Sequence, residues 1–329
     1  MVQGIVLFSG GLDSVCATHL LLSQGLKLKA LHFVLPFYSG LGMPHGQVRA
    51  AAGKLGVPLQ IIEEGEEYLT VVKNPVFGFG KNANPCVDCR IHRLSAAKKI
   101  MEAEGASFIA TGEVVGQRPM SQRMDCLHKI ENHAGLKGYL IRPLSAKLLP
   151  PTVAEEKGII NREKLLSIAG RGRKEQLAYA RSHGLVHGTP AGGCTLTNER
   201  TAERFNDLIR FTPDFDLEDF RLIAYGRHFR LSPACKLIVG RDDADNIALA
   251  AVASPADSLL YLPDGIPGPL GILRGAPVQE FTSKAASLFA RYTKFRNEKS
   301  CSVILKSSGD EQTIEALPAT DEECARLRI

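Results

Sequence analysis

The sequence predicts an α/β protein: a parallel, five-stranded, doubly wound sheet in the first two hundred residues, then a second, smaller α/β domain. Three observations lead there. Short apolar runs alternate with helical patterns up to about residue 200; "FTPDFDLEDF" (211–220) breaks that rhythm; and new strand signals follow it. Strand–helix alternation of this kind implies parallel strands covered on both faces. Pro213 among acidic residues marks the division, giving domains at 1–212 and 213–329.

The expected strands of the first domain are Gly4–Phe8, Leu28–Val34, Leu59–Ile62, Ser107–Thr111 and Tyr139–Arg142. Between them, helical spacing covers Ser14–Gln24, His45–Leu55, Ile91–Glu104 and Met120–His133, and a more helical stretch runs from Val153 to Arg210. In the second domain strands are expected at Lys236–Val239, Leu259–Leu262, Gly271–Leu273 and Ser302–Leu305, with helices at Asp243–Ala253 and Thr282–Thr293.

The chain has 329 residues, 44% hydrophobic and 23% charged, with a net charge of +5. Apolar runs such as Ile5–Phe8 are strand-length, too short to cross a bilayer, and no secretory leader pattern opens the chain. The expectation is a soluble cytoplasmic protein without a membrane partner. Eight cysteines in that setting read as thiols or metal ligands, not as a disulfide framework. Basic residues concentrate in "NREKLLSIAGRGRKEQLAYARSHG" (161–184) and "GQRPMSQRMDCLHKI" (116–130). Such segments either follow a phosphate backbone or form a solvated helix face.

"GIVLFSGGLDSVCATHLL" (4–21) carries the chemistry. It reads as a strand, then Ser9-Gly10-Gly11-Leu12-Asp13-Ser14, then a helix. Adjacent glycines let backbone approach a ligand closely, two hydroxyls flank them, and a helix start offers free amides and a positive dipole end. Together they suit a pyrophosphate-sized anion. Asp13 is foreign to an anion pocket unless it holds Mg2+ against the phosphates. The bland alternative is a Gly-rich turn with an Asp or Ser cap. Neither GxxxxGK[ST] nor GxGxxG is present here.

The loop resembles the SGGxDS signature of the PP-loop ATP pyrophosphatases, which have the adenine nucleotide alpha hydrolase-like fold and adenylylate a substrate oxygen with ATP. That resemblance covers about residues 1–200. It implies that main chain around Leu31, His32 and Phe33 lies against the adenine, and that Gly112 and Gln117 in "TGEVVGQRPMSQ" close over the nucleotide, as in tRNA 4-thiouridine synthases. It makes Ser9, Gly10, Gly11, Asp13 and Ser14 the phosphate and magnesium site.

"NANPCVDCRIHRL" (82–94) places Cys86 and Cys89 in a CxxC before a helical pattern, and Cys194 follows in "PAGGCTLT". The segment is similar to that of the tRNA 2-thiouridylases, with cysteine where they have aspartate. A CxxC plus one distant cysteine resembles the iron–sulfur tRNA thiolases, which implies a 4Fe–4S cluster on Cys86, Cys89 and Cys194, with Gly192 and Gly193 letting the backbone bend around it. Three alternatives stay open: zinc with His92 or Cys126 as fourth ligand, a persulfide on Cys194 resolved by Cys89, and a CxxC redox pair. Cys16 is expected in the core, and His19 and His32 are expected to be packed.

The second domain, through "YGRHFRLSPACKLIVGRDDADNIAL" (225–249), resembles the NFACT RNA-binding module, with Arg227, His228, Arg230, Lys236 and Arg241 as cations for RNA; a dimerisation or lid domain is the alternative. Familiar 4-thiouridine synthases place their RNA-binding region ahead of the PP-loop domain, so RNA capture is expected from the basic helical segment or this module. The resemblance implies an ATP-dependent tRNA sulfurtransferase acting with a sulfur donor, either sulfide or a persulfide carrier. The oligomeric state is open, a homodimer included. A PP-loop amidotransferase or ligase, and an RNA-binding protein with structural ATP, are the competing readings.

Overall fold

A computed structural model describes residues 2–38, 45–188, 194–275 and 278–329. Packing divides the chain into two units, residues 1–35 with 42–194, and residues 36–41 with 195–329.

The first unit runs β1 (Gly4–Leu7), α1 (Leu12–Leu22), β2 (Leu28–Val34), α2 (Gly46–Leu55), β3 (Leu59–Glu63), α3 (Glu67–Lys73), α4 (Cys86–Ala103), β4 (Phe108–Thr111), α5 (Met124–His133), β5 (Leu140–Ile141), α6 (Val153–Glu156) and α7 (Lys174–Ser182). The sheet order is β3-β2-β1-β4-β5, every pair parallel. This is the expected five-stranded doubly wound sheet. Neighbouring residues of β1 serve opposite faces. Val6 packs with Val15, Ala51 and Ala52 under α1 and α2, while Ile5 packs with Leu94, Ala97 and Ile130 under α4 and α5. Strands buried on both faces read as continuous apolar runs. The order reverses between β1 and β4, so the crevice beyond their carboxyl ends is the expected ligand position.

The second unit contains α8 (Glu199–Phe211), α9 (Leu217–Leu222), β6 (Arg227–Ser232), β7 (Cys235–Val239), α10 (Asp243–Val252), β8 (Ser258–Tyr261), β9 (Gly271–Gly275), α11 (Val278–Ala290), β10 (Cys301–Ser307), β11 (Asp310–Ala316) and α12 (Asp321–Leu327). Its sheet is antiparallel, ordered β11-β10-β8-β9-β7-β6. Leu237 and Leu273 face Phe289 of α11, and Ile238 and Ile272 face Leu249 of α10.

Packing divides the chain earlier than the break at 213 suggests. Phe205 of α8 meets Phe215 and Phe220 at centroid distances of 6.1 and 5.9 Å, and Phe37 lies 4.5 Å from Phe220. The acidic stretch that reads as a linker is anchored by these rings, and Asp216 caps α9 by accepting from Asp219 N at 2.8 Å. Among the described residues, no helix is long and apolar enough to cross a membrane.

Candidate active site

β1 ends in the loop that starts α1. Gly10 has φ +71, which favours glycine, and a Cβ there would sit a tight 3.1 Å from Val48 Cα. Ser14 Oγ donates to Gly11 O at 2.9 Å and lies 3.2 Å from Ser9 Oγ, which draws the two hydroxyls to one side of the turn. Gly112 follows β4, and a Cβ on it would meet Asp13 C and Ser14 N at 2.6 Å. Glycine at 112 therefore lets the tip of β4 lie directly on the start of α1. Gly188 N donates to Gly10 O at 2.8 Å, tying the segment ahead of Cys194 to the same loop.

Asp13 stands among Gln117, Gln176, Arg118 and Arg173. Burial raises its pKa, and hydrogen bonding from Gln117, the charge of Arg173 and Arg118, and hydrogen bonding from Gln176 only partly offset that. The set is incompletely satisfied. Asp13 Oδ1, Gln117 Nε2 and both terminal atoms of Gln176 are buried without a well-formed hydrogen bond among the described residues. Buried polar atoms left open in one place point to a ligand that completes them. The oxygen on Asp13 fits a hard cation, and the amides with the two arginines fit phosphate oxygens. Gln176 and Arg173, from the start of α7, were not singled out for this role in the sequence. Arg173 belongs to a basic segment expected to follow RNA or face solvent, Arg118 also to the segment that by resemblance closes over the nucleotide, and both lie within electrostatic reach of Asp13.

A buried ion network binds the cysteine motif to β4. Arg90, next to Cys89, places Nη1 3.0 Å from Glu113 Oε1. Glu113 Oε2 accepts from Thr111 Oγ1 and from Arg142 Nε, each at 3.1 Å, and Arg142 Nη1 donates to Glu131 at 3.1 Å. Burial alone would raise the Glu113 pKa, but Arg90 and Arg142 outweigh it and hold the carboxyl below its usual range. Glu113→Gln is expected to destabilise the fold by about 3 kcal/mol, since it removes the buried carboxylate shared by Arg142 and Arg90 and leaves Arg142 with Glu131 alone. The contribution is present above the ordinary carboxyl value of 4.5 and is lost as pH falls through the lowered folded value. Chemical denaturation from pH 7 down to 3 checks both, and the variant should lack that acid-side decline.

Cys86 and Cys89 occupy the first turn of α4. Asn84 Nδ2 donates to Cys86 Sγ at 3.1 Å, and Cys86 lies within electrostatic reach of Arg118, which also reaches Asp13. Cys89 keeps some open surface yet is hemmed in by protein. Burial pushes its thiol up; Arg93 opposes this, Glu64 adds to it, and a hydrogen bond from Tyr68 opposes it again. Arg93 is itself held by Glu64 through Nε at 3.0 Å and Nη2 at 2.5 Å, and lies 5.9 Å over the Phe33 ring. Tyr68 is 1% exposed and senses two thiols, Cys89 by hydrogen bond and charge and Cys194 by charge. Tyr68 thus lies within electrostatic reach of both Cys89 and Cys194, and Arg118 of both Cys86 and Asp13. Tyr68, Arg93 and Glu64 went unread in the sequence, where nothing links α3, α4 and the end of β3.

Among the described residues, no three His, Cys, Asp or Glu side chains converge as they would on a single metal ion. His92, a candidate zinc ligand, lies 3.9 Å from Glu64 and edge-on to Tyr68. Gly192 and Gly193 lie outside the described residues. His32 donates from Nδ1 to Phe8 O at 2.9 Å, with burial lowering its pKa, so it braces the end of β1. His19 packs on Tyr179 and His183. Cys16 is buried, its thiol pushed up to about 12 by burial and by Asp13.

The cations expected in the second unit divide. Arg227 is half-buried, and Arg241 is exposed. Arg230 is held by Asp207, with Nε 3.1 Å from Oδ1. His228 is 2% exposed and donates from Nε2 to Tyr225 O at 2.8 Å, and burial holds it neutral. Lys236 is 4% exposed with its pKa lowered to about 8 by burial. Lys236 pairs with Arg230 and Arg274 across the sheet and lies within reach of the Asp219 and Asp207 carboxylates, so it is engaged within the unit.

Residues 2–147 match the family model described as "Thiamine biosynthesis protein (ThiI)", and residues 226–328 match "NFACT protein RNA binding domain". The tRNA-specific 2-thiouridylase MnmA of Syntrophotalea carbinolica is 33% identical over 117 residues, 33% of each chain. A probable tRNA sulfurtransferase of Lysinibacillus sphaericus is 30% identical over 163 residues, 47% of this chain and 38% of its own. The matches thus span little more than a third of these relatives' length. Among solved structures, the U34-tRNA thiolase NcsA from Methanococcus maripaludis with its [4Fe-4S] cluster aligns at 15% identity over 68% of this chain and 70% of its own, with a TM-score of 0.30. Over residues 2–147 the chain is similar to the PP-loop tRNA-thiolation enzymes, and over residues 226–328 to the NFACT RNA-binding domain.

Proposed function

We propose that the protein is an ATP-dependent tRNA sulfurtransferase of the cytoplasm. One observation carries this reading: nucleotide-binding groups and thiols share neighbours, Arg118 for Asp13 and Cys86, and Tyr68 for Cys89 and Cys194. A PP-loop that delivers ammonia has no use for such a convergence.

In the first half-reaction a uridine carbonyl oxygen attacks the α-phosphorus of ATP. The bond to the bridging oxygen of the β-phosphate breaks, pyrophosphate leaves, and the base carries AMP on its oxygen. Charge accumulates on the departing pyrophosphate. The amides of Gly10 and Gly11, the start of α1, Arg118 and Arg173 supply the opposite charge there, a mainly electrostatic contribution. Asp13 would hold Mg2+, which neutralises phosphate charge when bound. Gly112 admits no side chain between β4 and the loop, so the nucleotide meets main chain.

In the second half-reaction a sulfide adds to the same carbon, and AMP leaves with the former carbonyl oxygen. Cys86, Cys89 and Cys194 would hold a 4Fe–4S cluster, which when bound offers an iron free of protein thiolate for hydrosulfide. The donors fit that group, being three soft thiols of which two lie on one helical turn. Metal binding needs thiolates, and Arg93 and the Tyr68 hydroxyl favour the charged form of Cys89 against its burial.

The test uses the whole chain, handled without oxygen, with unmodified tRNA, ATP, Mg2+ and sulfide. Thiouridine should form with AMP and pyrophosphate in equal amounts, and none should form without ATP. AMP and pyrophosphate without a thionucleoside, or a product that depends on ammonia, would overturn the sulfur assignment.

A further inference from the structure

Arg204 of α8 is 6% exposed; its Nη1 donates to Ile223 O at 3.1 Å, while its Nε has no partner among the described residues. A guanidinium N–H left open at that depth is costly unless an acceptor arrives from outside. Further arginines gather round it. Arg200, Arg241 and Arg328 lie within its electrostatic reach, and Arg227 reaches Arg241 and Arg328.

The second unit's topology builds this group from distant parts of the chain. Arg227 opens β6, with Nη1 donating to Gly240 O at 3.0 Å and its guanidinium 4.6 Å over the Tyr292 ring. Arg328 is brought beside β6 by a bridge to Phe229, next to Ile329 N donating to His228 O at 3.0 Å. Arg241 follows β7. Negative charge is scarcer. Asp245 accepts from Arg241 Nε and Nη2 at 2.5 and 2.9 Å and is the carboxylate that reaches Arg204 and Arg227 as well. Asp242 reaches Arg241, and Glu203 pairs with Arg200 at 3.1 Å. Burial and like charge lower the Arg204 pKa to about 10, as expected where cations outnumber their partners.

We infer that Arg204, Arg227, Arg241 and Arg328 form a phosphate site that takes a backbone phosphate of RNA. The inference rests on tRNA being the substrate and goes beyond it by naming where this unit holds the strand. Guanidinium forks match phosphate oxygens, and a buried fork with a free N–H adds a directional contact to the charge.

The experiment titrates labelled tRNA with the full chain over a range of salt. Arg227→Gln and Arg328→Gln alter the open rim of the group, and Arg204→Gln alters its floor, with a melting curve recorded for each. Each rim variant should weaken tRNA binding about 5-fold at about 0.1 M salt and reduce the slope of log K against log salt by about 0.7. Lys306→Gln, removing an exposed cation elsewhere in the same unit, should change both far less. Equal losses in Lys306→Gln, or unchanged binding and slope in both rim variants, would overturn the site. Inorganic phosphate is the second probe. If it stabilises the parent while the rim variants keep full tRNA affinity, the site serves free phosphate and the RNA assignment fails. tRNA capture is scored apart from thionucleoside formation, so a parent that binds tRNA through these arginines without thiolating it retains the site and loses only the reaction.

Discussion

Asp13→Asn is expected to lower tRNA-dependent pyrophosphate release by about 10^3-fold or more while raising the melting temperature of the nucleotide-free protein. The two effects have one origin. Asp13 is placed where burial disfavours its charge, with Gln117, Arg173, Arg118 and Gln176 only partly compensating, and its Oδ1 lacks a well-formed hydrogen bond among the described residues. Such a carboxylate costs the empty protein stability and is repaid when a cation binds. Its folded pKa lies above the ordinary 3.8, so the protonated form is favoured in the fold. That contribution is complete below 3.8 and is lost as pH rises through the raised folded value. Asn keeps the shape and omits the charge. The gap in melting temperature between variant and parent should therefore be small near pH 4 and open toward pH 7, reaching a few degrees. Mg2+ with ATP should stabilise the parent and leave the variant almost unmoved. A variant that keeps its pyrophosphate release would remove Asp13 from the chemistry.

The first sheet was legible because β1, β2 and β4 are buried on both faces, and runs such as Gly4–Leu7 and Phe108–Thr111 contain almost nothing polar. The strands that escaped the sequence reading are the two outer ones of the second sheet. β6 (RHFRLS) and β11 (DEQTIEA) carry charges along a sheet edge, where polar side chains discourage pairing with other chains. Their alternation is hidden by that composition. α3 was missed for another reason: seven residues are too few to establish a helical period, although Tyr68, Leu69, Val71 and Val72 are all buried. The acidic stretch at 211–220 misled because its proline and carboxylates are visible locally, whereas the rings that lock Phe215 and Phe220 come from Phe37 and Phe205.

The same distinction runs through the site. SGGLDS is contiguous, so strand, turn and helix start can be read from one line of text. The surrounding groups are supplied by topology. Gln176 and Arg173 come from α7, Tyr68 from α3, Arg93 from the second turn of α4 and Glu64 from beyond β3, and no spacing rule joins them. Arg118 illustrates the ambiguity of charge. Within "GQRPMSQR" it reads both as a surface cation and, by resemblance, as part of the segment that closes over the nucleotide, and it reaches Asp13 and Cys86. Buried polar atoms without partners, at Asp13, Gln117 and Gln176, mark the place more sharply than the positive charge does.

Cys194→Ala should abolish thionucleoside formation, by about 10^3-fold or more, while pyrophosphate release stays within a few-fold of the parent. The separation follows from where the thiols stand. Cys194 lies within electrostatic reach of Tyr68, which hydrogen-bonds Cys89, whereas Ser9 meets Ser14 and Gly112 lies against Asp13 and Ser14. Removing one sulfur leaves the loop, the start of α1, Arg118 and Arg173 in place. Cys89→Ala should behave the same way in thiolation but perturb its surroundings more, because Tyr68 loses a hydrogen-bond partner and the Cys89 side chain is hemmed in by protein. Iron content and the visible absorption of protein prepared without oxygen supply the independent readout. A shoulder near 400 nm with about four irons per chain in the parent, lost in both variants, assigns the thiols to a cluster. An iron-free parent that loses thiolation in both variants, and in which Cys194 alone takes up a persulfide from a sulfur carrier, assigns Cys194 as carrier and Cys89 as the thiol that resolves it. Thiolation that survives either substitution removes the cysteines from sulfur transfer altogether and returns the PP-loop to ligase chemistry.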